Sequence, residues 1–159
     1  MCIYTYMDDD QTSVLSTIDL DPTLCTCASL RKTSRVVTQF FDNALKPAGL
    51  TPGQFTVLAA LSNRGPSRQA DLADILAMDR TTLIRNLRPL ENRGLVSTDT
   101  LSKRGVKTLT LTAAGDRVLA LAMPLWQQAQ SQIIEALGQD RWGGLIDDLA
   151  STVEAVQAR

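Results

Sequence analysis

The sequence contains no histidine, and its aromatic content is only 4%. The first absence removes histidine-based acid–base catalysis and most zinc sites. The second means that any core must be built from Leu, Val, Ile and Ala. Cysteine is sparse as well: Cys2, Cys25 and Cys27 are an odd set without a framework spacing, as expected for a reducing compartment. No apolar run reaches the about 18 residues of a membrane span. Met1 to Asp10 lacks a basic n-region and a long apolar run, so secretion is not expected and a cytoplasmic location is. These absences point away from an enzyme and from any metal or cofactor; no catalytic residue is expected.

What is present is a segregated charge. The net charge of −1 over 159 residues divides into −5 over residues 1–21, +3 over 22–63, zero over 64–77, +4 over 78–107 and −3 over 108–159. Arg80, Arg85, Arg88, Arg93, Lys103, Arg104 and Lys107 carry the strongest cationic block. A cationic block inside a nearly neutral chain is the footprint of a nucleic-acid contact surface, although a solvated face has the same composition.

The periodicity predicts an acidic extension over 1–20, then a helix that starts at Asp21-Pro22 and ends near Lys46. Its seam is Cys27, Leu30, Ser34, Val37, Phe41 and Ala44. So narrow a seam on a long helix needs a partner surface. Thr51-Pro52-Gly53-Gln54 is a capping box that opens a short helix through Phe55, Leu58, Ala59 and Leu61. Ser67 is read as the cap of the next helix, with Leu72, Ile75 and Leu76 inward. Asp79 caps a third, which runs to Arg93 and stops at Gly94. Strands are expected over Leu95–Thr100 and Val106–Leu111, around a Lys/Arg-rich turn. Thr112 caps a long apolar helix with a kink expected at Pro124, and a last helix follows Gly138. The expected fold is α+β, mostly α: a winged helix-turn-helix over 50–112, flanked by helical dimerisation segments at 21–48 and 113–159.

In the third short helix Leu83, Leu87 and Leu90, joined by Ile84, share one face, and Thr81, Arg85 and Arg88 share the other. An Arg one turn into such a helix reaches guanine O6 and N7 bidentately, and Thr hydroxyls contact bases or phosphates. Arg80 and Arg93, at the two ends, are better placed for phosphates. Ser67 and Gln69, at the start of the preceding helix, and Thr82 join the candidate DNA-contacting set. Lys103, Arg104 and Lys107 put three cations on a hairpin with Gly105, the shape of a wing that meets a minor groove or phosphates.

Leu50-Thr51-Pro52-x-Gln54-Phe55, Asp71-Leu72-Ala73, Asp79-Arg80-Thr81-Thr82-Leu83-x-Arg85 and Leu90-x-x-x-Gly94-Leu95-Val96 occur in that order. Lys103-Arg104-Gly105-Val106 and Leu111-Thr112-x-x-Gly115 complete the set. Together they resemble the multiple-antibiotic-resistance-regulator (MarR) family over about residues 22–157. The resemblance implies a homodimer that represses transcription from double-stranded DNA at a near-palindromic operator. It places Thr81, Thr82 and Arg85 in the major groove and Arg104 in the minor groove. Two positions depart from the pattern. Ser102 stands where the family's wing carries an Asp, and Pro89 lies inside the recognition helix, where a bend is expected.

Leu24 to Thr38 resembles the first helix of the family's organic-hydroperoxide sensors, with Cys27 eight residues before Arg35 and Arg31 one turn beyond the thiol. Sensing needs an accessible thiolate that passes to sulfenic acid. The sensors' tyrosines are replaced here by Arg31 and Phe41. The plainer role for Cys27 is a small apolar residue on the seam. Two cysteines spaced i, i+2 on a helix diverge, which argues against a Cys25–Cys27 bond. The family also uses small aromatic or phenolic ligands, for which Arg35, Phe40, Phe55 and Trp126 are candidate lining residues, or else ordinary core and ion-pair residues. Three alternatives stand beside the DNA-binding reading: a winged-helix protein-interaction module, a thiol oxidoreductase at Cys25 and Cys27, and a metal sensor using the same thiols.

Overall fold

A computed structural model describes residues 25–100 and 107–158. The acidic extension, the expected start at Asp21-Pro22 and the wing tip with Ser102, Lys103 and Arg104 lie outside the described residues. The chain divides into two compact units, Met1–Gln39 and Phe40–Arg159.

In the first unit helix α1 (Thr26–Leu45) runs through Gln39 and continues into the second. Every described residue from Cys25 to Gln39 is exposed, and Leu30 and Val37 of the apolar seam are 39% and 37% accessible. Cys25 precedes the first helical residue, and its carbonyl accepts from the Ser29 N–H at 2.9 Å. The helical-divergence argument against pairing Cys25 with Cys27 therefore does not hold at Cys25, which is not on the helix.

In the second unit α1 ends at Leu45, one residue short of the expected Lys46, and tightens into a 3₁₀ turn over Lys46–Ala48. Pro47 has no N–H to continue the α-helix but fits this first turn. Gly49 closes it at φ +66°, a left-handed value that glycine adopts without a Cβ penalty. Helix α2 (Pro52–Arg64) opens on the expected capping box: the Gln54 N–H donates to Thr51 Oγ1 at 3.3 Å and the Thr51 N–H to Gln54 Oε1 at 3.1 Å.

Ser67 is not the cap of the next helix. It forms with Arg68 a two-residue strand β1, its backbone opposite Leu109, and its hydroxyl donates to the Gly65 carbonyl at 3.1 Å. Pairing with a later strand thus takes the residue that local sequence assigns to a helix start. Helix α3 (Gln69–Ile75) begins after it. Leu72 is fully buried, but Ile75 is 43% exposed rather than inward. The inward column of this short helix is filled by Leu72 and Leu76, leaving Ile75 on the flank.

The turn into helix α4 (Arg80–Asn92) passes through Ala77 at φ +48°, the only positive φ among the described non-glycine residues. The Met78 N–H returns to the Ala73 carbonyl at 2.9 Å, a helix stop that ordinarily carries glycine. Ala77→Gly is expected to raise stability by about 0.5–1 kcal/mol, the left-handed penalty less glycine's entropy. Urea denaturation measures it, and a destabilised variant would show that the turn stores no strain.

Helix α4 continues through Pro89 to Asn92, with Leu83, Leu87 and Leu90 at 0–3% exposure. Strands β2 (Val96–Thr100) and β3 (Lys107–Leu111) form the hairpin, β2 starting one residue later than expected, while Val106 lies outside the described residues. Leu95 instead closes the stop of α4, its N–H on the Leu90 carbonyl at 2.9 Å. The sheet is antiparallel, in the order β1-β3-β2.

Helix α5 (Ala113–Leu137) is capped by Thr112, as expected, and passes Pro124 without a break. Helix α6 (Gln139–Gln157) follows Gly138. The core is aliphatic, with Leu45, Leu58, Leu61, Leu72, Leu83, Leu90 and Leu109 the largest fully buried side chains, joined by Leu119 and Ala122 of α5. Helix α6 contributes no buried residue, and its Leu145, Ile146, Leu149, Val153 and Val156 are 37–71% exposed.

Candidate nucleic-acid interface

Leucines at i, i+4 and i+7 hold α4 against α2, so its opposite face must look outward. Thr81, Arg85 and Arg88 are exposed on that face, and Arg80 is exposed at the first helical position. The N-terminus of α4 is fixed by Asp79, whose Oδ1 accepts the Thr82 N–H at 2.8 Å and whose Oδ2 accepts the Thr82 hydroxyl at 2.7 Å. The hydroxyl proton of Thr82, expected at bases or phosphates, is therefore engaged within the cap, which leaves Thr81 as the more accessible of the pair. The Thr82 hydroxyl bond, then the Thr82 and Thr81 N–H groups and the Arg85 charge, hold the Asp79 carboxyl below its ordinary range.

A carboxyl with a depressed folded-state pKa adds stability above its unfolded value and loses that contribution as pH falls through the folded one. Asp79→Asn keeps the acceptor oxygen of the cap but cannot titrate. It is expected to unfold at a lower urea midpoint than wild type at neutral pH, because the amide lacks the charge and its nitrogen cannot accept the Thr82 hydroxyl. As pH falls through the acid range in which wild-type Asp79 takes up its proton, the variant is expected to lose less stability, so that the two converge. Equal acid limbs in the two proteins would remove Asp79 from the account.

Four elements meet beside this helix start. A cleft of about 640 Å³ is lined by Arg68 of β1, Gln69 of α3, Arg80 of α4 and Lys107 of β3, with Asp71, Asp74 and Asp79 on its acidic side. Gln69, Arg80 and Lys107 belong to the set expected from sequence, and Ser67 is half-buried next to Arg68. Arg68 itself was missed by the sequence reading. A lone Arg before a helix carries no signal until β1 pairs with β3 and brings it to the cleft that Lys107 also lines. Arg93, expected to reach a phosphate, instead donates from Nη1 to the Gly49 carbonyl at 2.6 Å. Lys103 and Arg104 lie outside the described residues.

The residues named for a ligand are divided. Phe55 is 7% exposed and stacks on Trp126, with ring centroids 5.8 Å apart and planes at 19°, so both rings serve the core. Phe40 sits edge-on to Phe41 at 5.7 Å. Arg35 is an exposed residue of the first unit. Cys25 and Cys27 are free and exposed. Among the described residues no cluster of acids and thiols forms a metal site, and no helix is long and apolar enough to cross a membrane.

A helix pair joined by a tight turn, followed by a two-stranded wing and presenting an outward cationic face, defines a winged helix-turn-helix regulator. Residues 48–105 match the MarR family. The transcriptional regulator HosA of Escherichia coli O127:H6 is 31% identical over 93 residues, which cover 57% of this chain and 68% of HosA. The crystal structure of the Mycobacterium tuberculosis regulator MosR in complex with DNA superposes with a TM-score of 0.77 at 35% identity, over 84% of this chain and 97% of MosR. The repressor CouR bound to p-coumaroyl-CoA superposes at 0.72 with 27% identity, over 85% of this chain and 98% of CouR. The chain belongs to the MarR family. It is a DNA-binding transcription regulator and not an enzyme.

Proposed function

We propose that this protein is a homodimeric repressor that reads a near-palindromic operator in double-stranded DNA. In this reading α4 enters the major groove, with Thr81 and Arg85 toward base edges, Thr82 fixing the helix start through Asp79, and Arg88 and Arg80 toward the backbone. Ser67, Arg68, Gln69 and Lys107 hold the flanking phosphates, and Lys103 and Arg104 take the wing into the minor groove. The observation that carries it is the exposed Thr81–Arg85–Arg88 face of a helix whose other face is locked by fully buried leucines. A protein-interaction module has no need of cations on that face and around the neighbouring cleft together.

The dimer reading rests on α6, whose five large aliphatic side chains stay 37–71% exposed in one chain. A stripe of that kind on a soluble protein marks a surface for a partner, and a second copy is the commonest one. Residues 21–48 and 113–159 then form the dimerisation region and 50–112 the DNA-binding domain. Light scattering is expected to give two chains per particle and two per operator duplex. A monomer at micromolar concentration that binds DNA one to one would contradict it.

Release from DNA follows either a small aromatic or phenolic ligand or oxidation of Cys27. The free, exposed thiol supports the second route. Peroxide is then expected to dissociate the wild-type complex and to leave Cys27→Ser bound; loss of both complexes alike would set Cys27 aside.

A further inference from the structure

The C-terminal end of α4 is tied to three other segments. The Arg93 guanidinium donates to the Gly49 carbonyl at 2.6 Å, across 44 residues of sequence. The Thr98 hydroxyl of β2 donates to the Glu91 carboxylate. The Thr112 hydroxyl, which also caps α5, donates to the Gly94 carbonyl at 2.7 Å. Half a helix away, Asn86 lies so close to α2 that a Cβ on Gly53 would stand 2.6 Å from its Oδ1, while its amide donates to the Thr82 carbonyl at 3.0 Å. Gly49 thus accepts from Arg93, the residue that caps the end of α4, and Gly53 leaves room for Asn86 of α4 that a Cβ would take away. Charge-assisted hydrogen bonds of this kind are short and directional, and fix geometry as well as adding stability. The helix is thus held sideways by leucines and at its C-terminal end by Arg93, with Asn86 fitted closely over Gly53.

We propose that Arg93 is a positioning residue for DNA reading: clamped on Gly49, with Asn86 against Gly53 as a second point, it fixes the axial setting of α4 relative to the 46–53 connection and does not contact phosphate. The inference rests on α4 being the recognition helix. It assigns to one of the cationic residues of the basic block a role that charge alone does not suggest. A base-reading side chain is useful only if its helix is held in register, so loss of the clamp degrades discrimination between sequences more than it degrades electrostatic attraction.

The test uses the full chain with Arg93→Ala, Arg93→Lys and Gly53→Ala. Hydrogen–deuterium exchange without DNA is expected to speed up in Arg93→Ala over both 46–54 and 86–95, and Arg93→Lys, which keeps a donor, to recover part of the protection. In DNA titrations Arg93→Ala is expected to lose about tenfold in the ratio of operator to scrambled-duplex affinity, the loss of one charge-assisted bond, with an unchanged salt slope. Gly53→Ala removes no cation and is expected to show the same loss of ratio. A salt slope lower by about 0.9 in Arg93→Ala, the signature of one lost phosphate contact, would overturn the proposal. Unaltered exchange in both segments would overturn it as well. Failure of the wild type to select any duplex would instead refute the reading of α4, and the exchange result would still decide the clamp.

Discussion

Gly115→Ala is expected to cost about 3 kcal/mol of stability, the upper part of the range for overpacking a close-packed site. A Cβ at this position would lie 2.1 Å from the Leu95 carbonyl oxygen and 2.6 Å from Leu111 Cδ1. The first neighbour is backbone and cannot rotate away. Moreover, the Leu95 carbonyl accepts the Thr112 N–H at 3.1 Å and shares the Thr112 hydroxyl proton with the Gly94 carbonyl, and Thr112 in turn caps α5 at the Gly115 N–H at 3.0 Å. Relief of the clash would have to shift the start of α5 off the base of the wing and break these bonds together. Urea denaturation of wild type and variant measures the difference. A change below about 0.5 kcal/mol, the range of surface substitutions, would show that the helix start yields freely. The glycine is thus required by close approach of backbone, since its own φ is not left-handed.

Arg85→Ala is the second large expected effect, this time on binding. The residue is exposed one turn into α4, and the leucines on the other face hold it in place. If its guanidinium meets a guanine edge, truncation costs roughly 1–3 kcal/mol of specific affinity and relaxes the preference at one base pair. Folding should be nearly unaffected because the side chain is exposed. Substitution of each base pair of the bound site in turn, against wild type and variant, identifies the position at which Arg85→Ala no longer discriminates. A uniform loss across all sequences with a lower salt slope would make Arg85 a phosphate contact instead.

The helices and their caps were legible because each is specified within a few residues. Thr51–Gln54, Asp79 and Thr112 cap the helices that the sequence assigns to them. The buried Leu83–Leu87–Leu90 face follows from spacing alone. What was not legible depends on partners distant in sequence. Ser67 has all the local marks of an N-cap, yet its strand pairing with Leu109 decides its conformation. Arg93 is indistinguishable from its cationic neighbours until Gly49 is brought to it by the fold. Ile75 fits an inward pattern that a helix of seven residues is too short to complete. The candidate interface divides in the same way: the exposed face of α4 follows from periodicity, whereas the grouping of Arg68, Gln69, Arg80 and Lys107 around one cleft needs the sheet.

The central claim is that the face of α4 reads DNA sequence. The most direct test is a fluorescence-anisotropy titration of the reduced, full-length protein against duplex DNA from upstream of its own coding region, beside a scrambled duplex, at two salt concentrations. Tight binding to the first duplex that weakens steeply with salt is expected, with a preference over the scrambled duplex of about a thousandfold or more. Equal, weak binding to both duplexes, with native operator fragments from elsewhere in the genome behaving no differently, would contradict it.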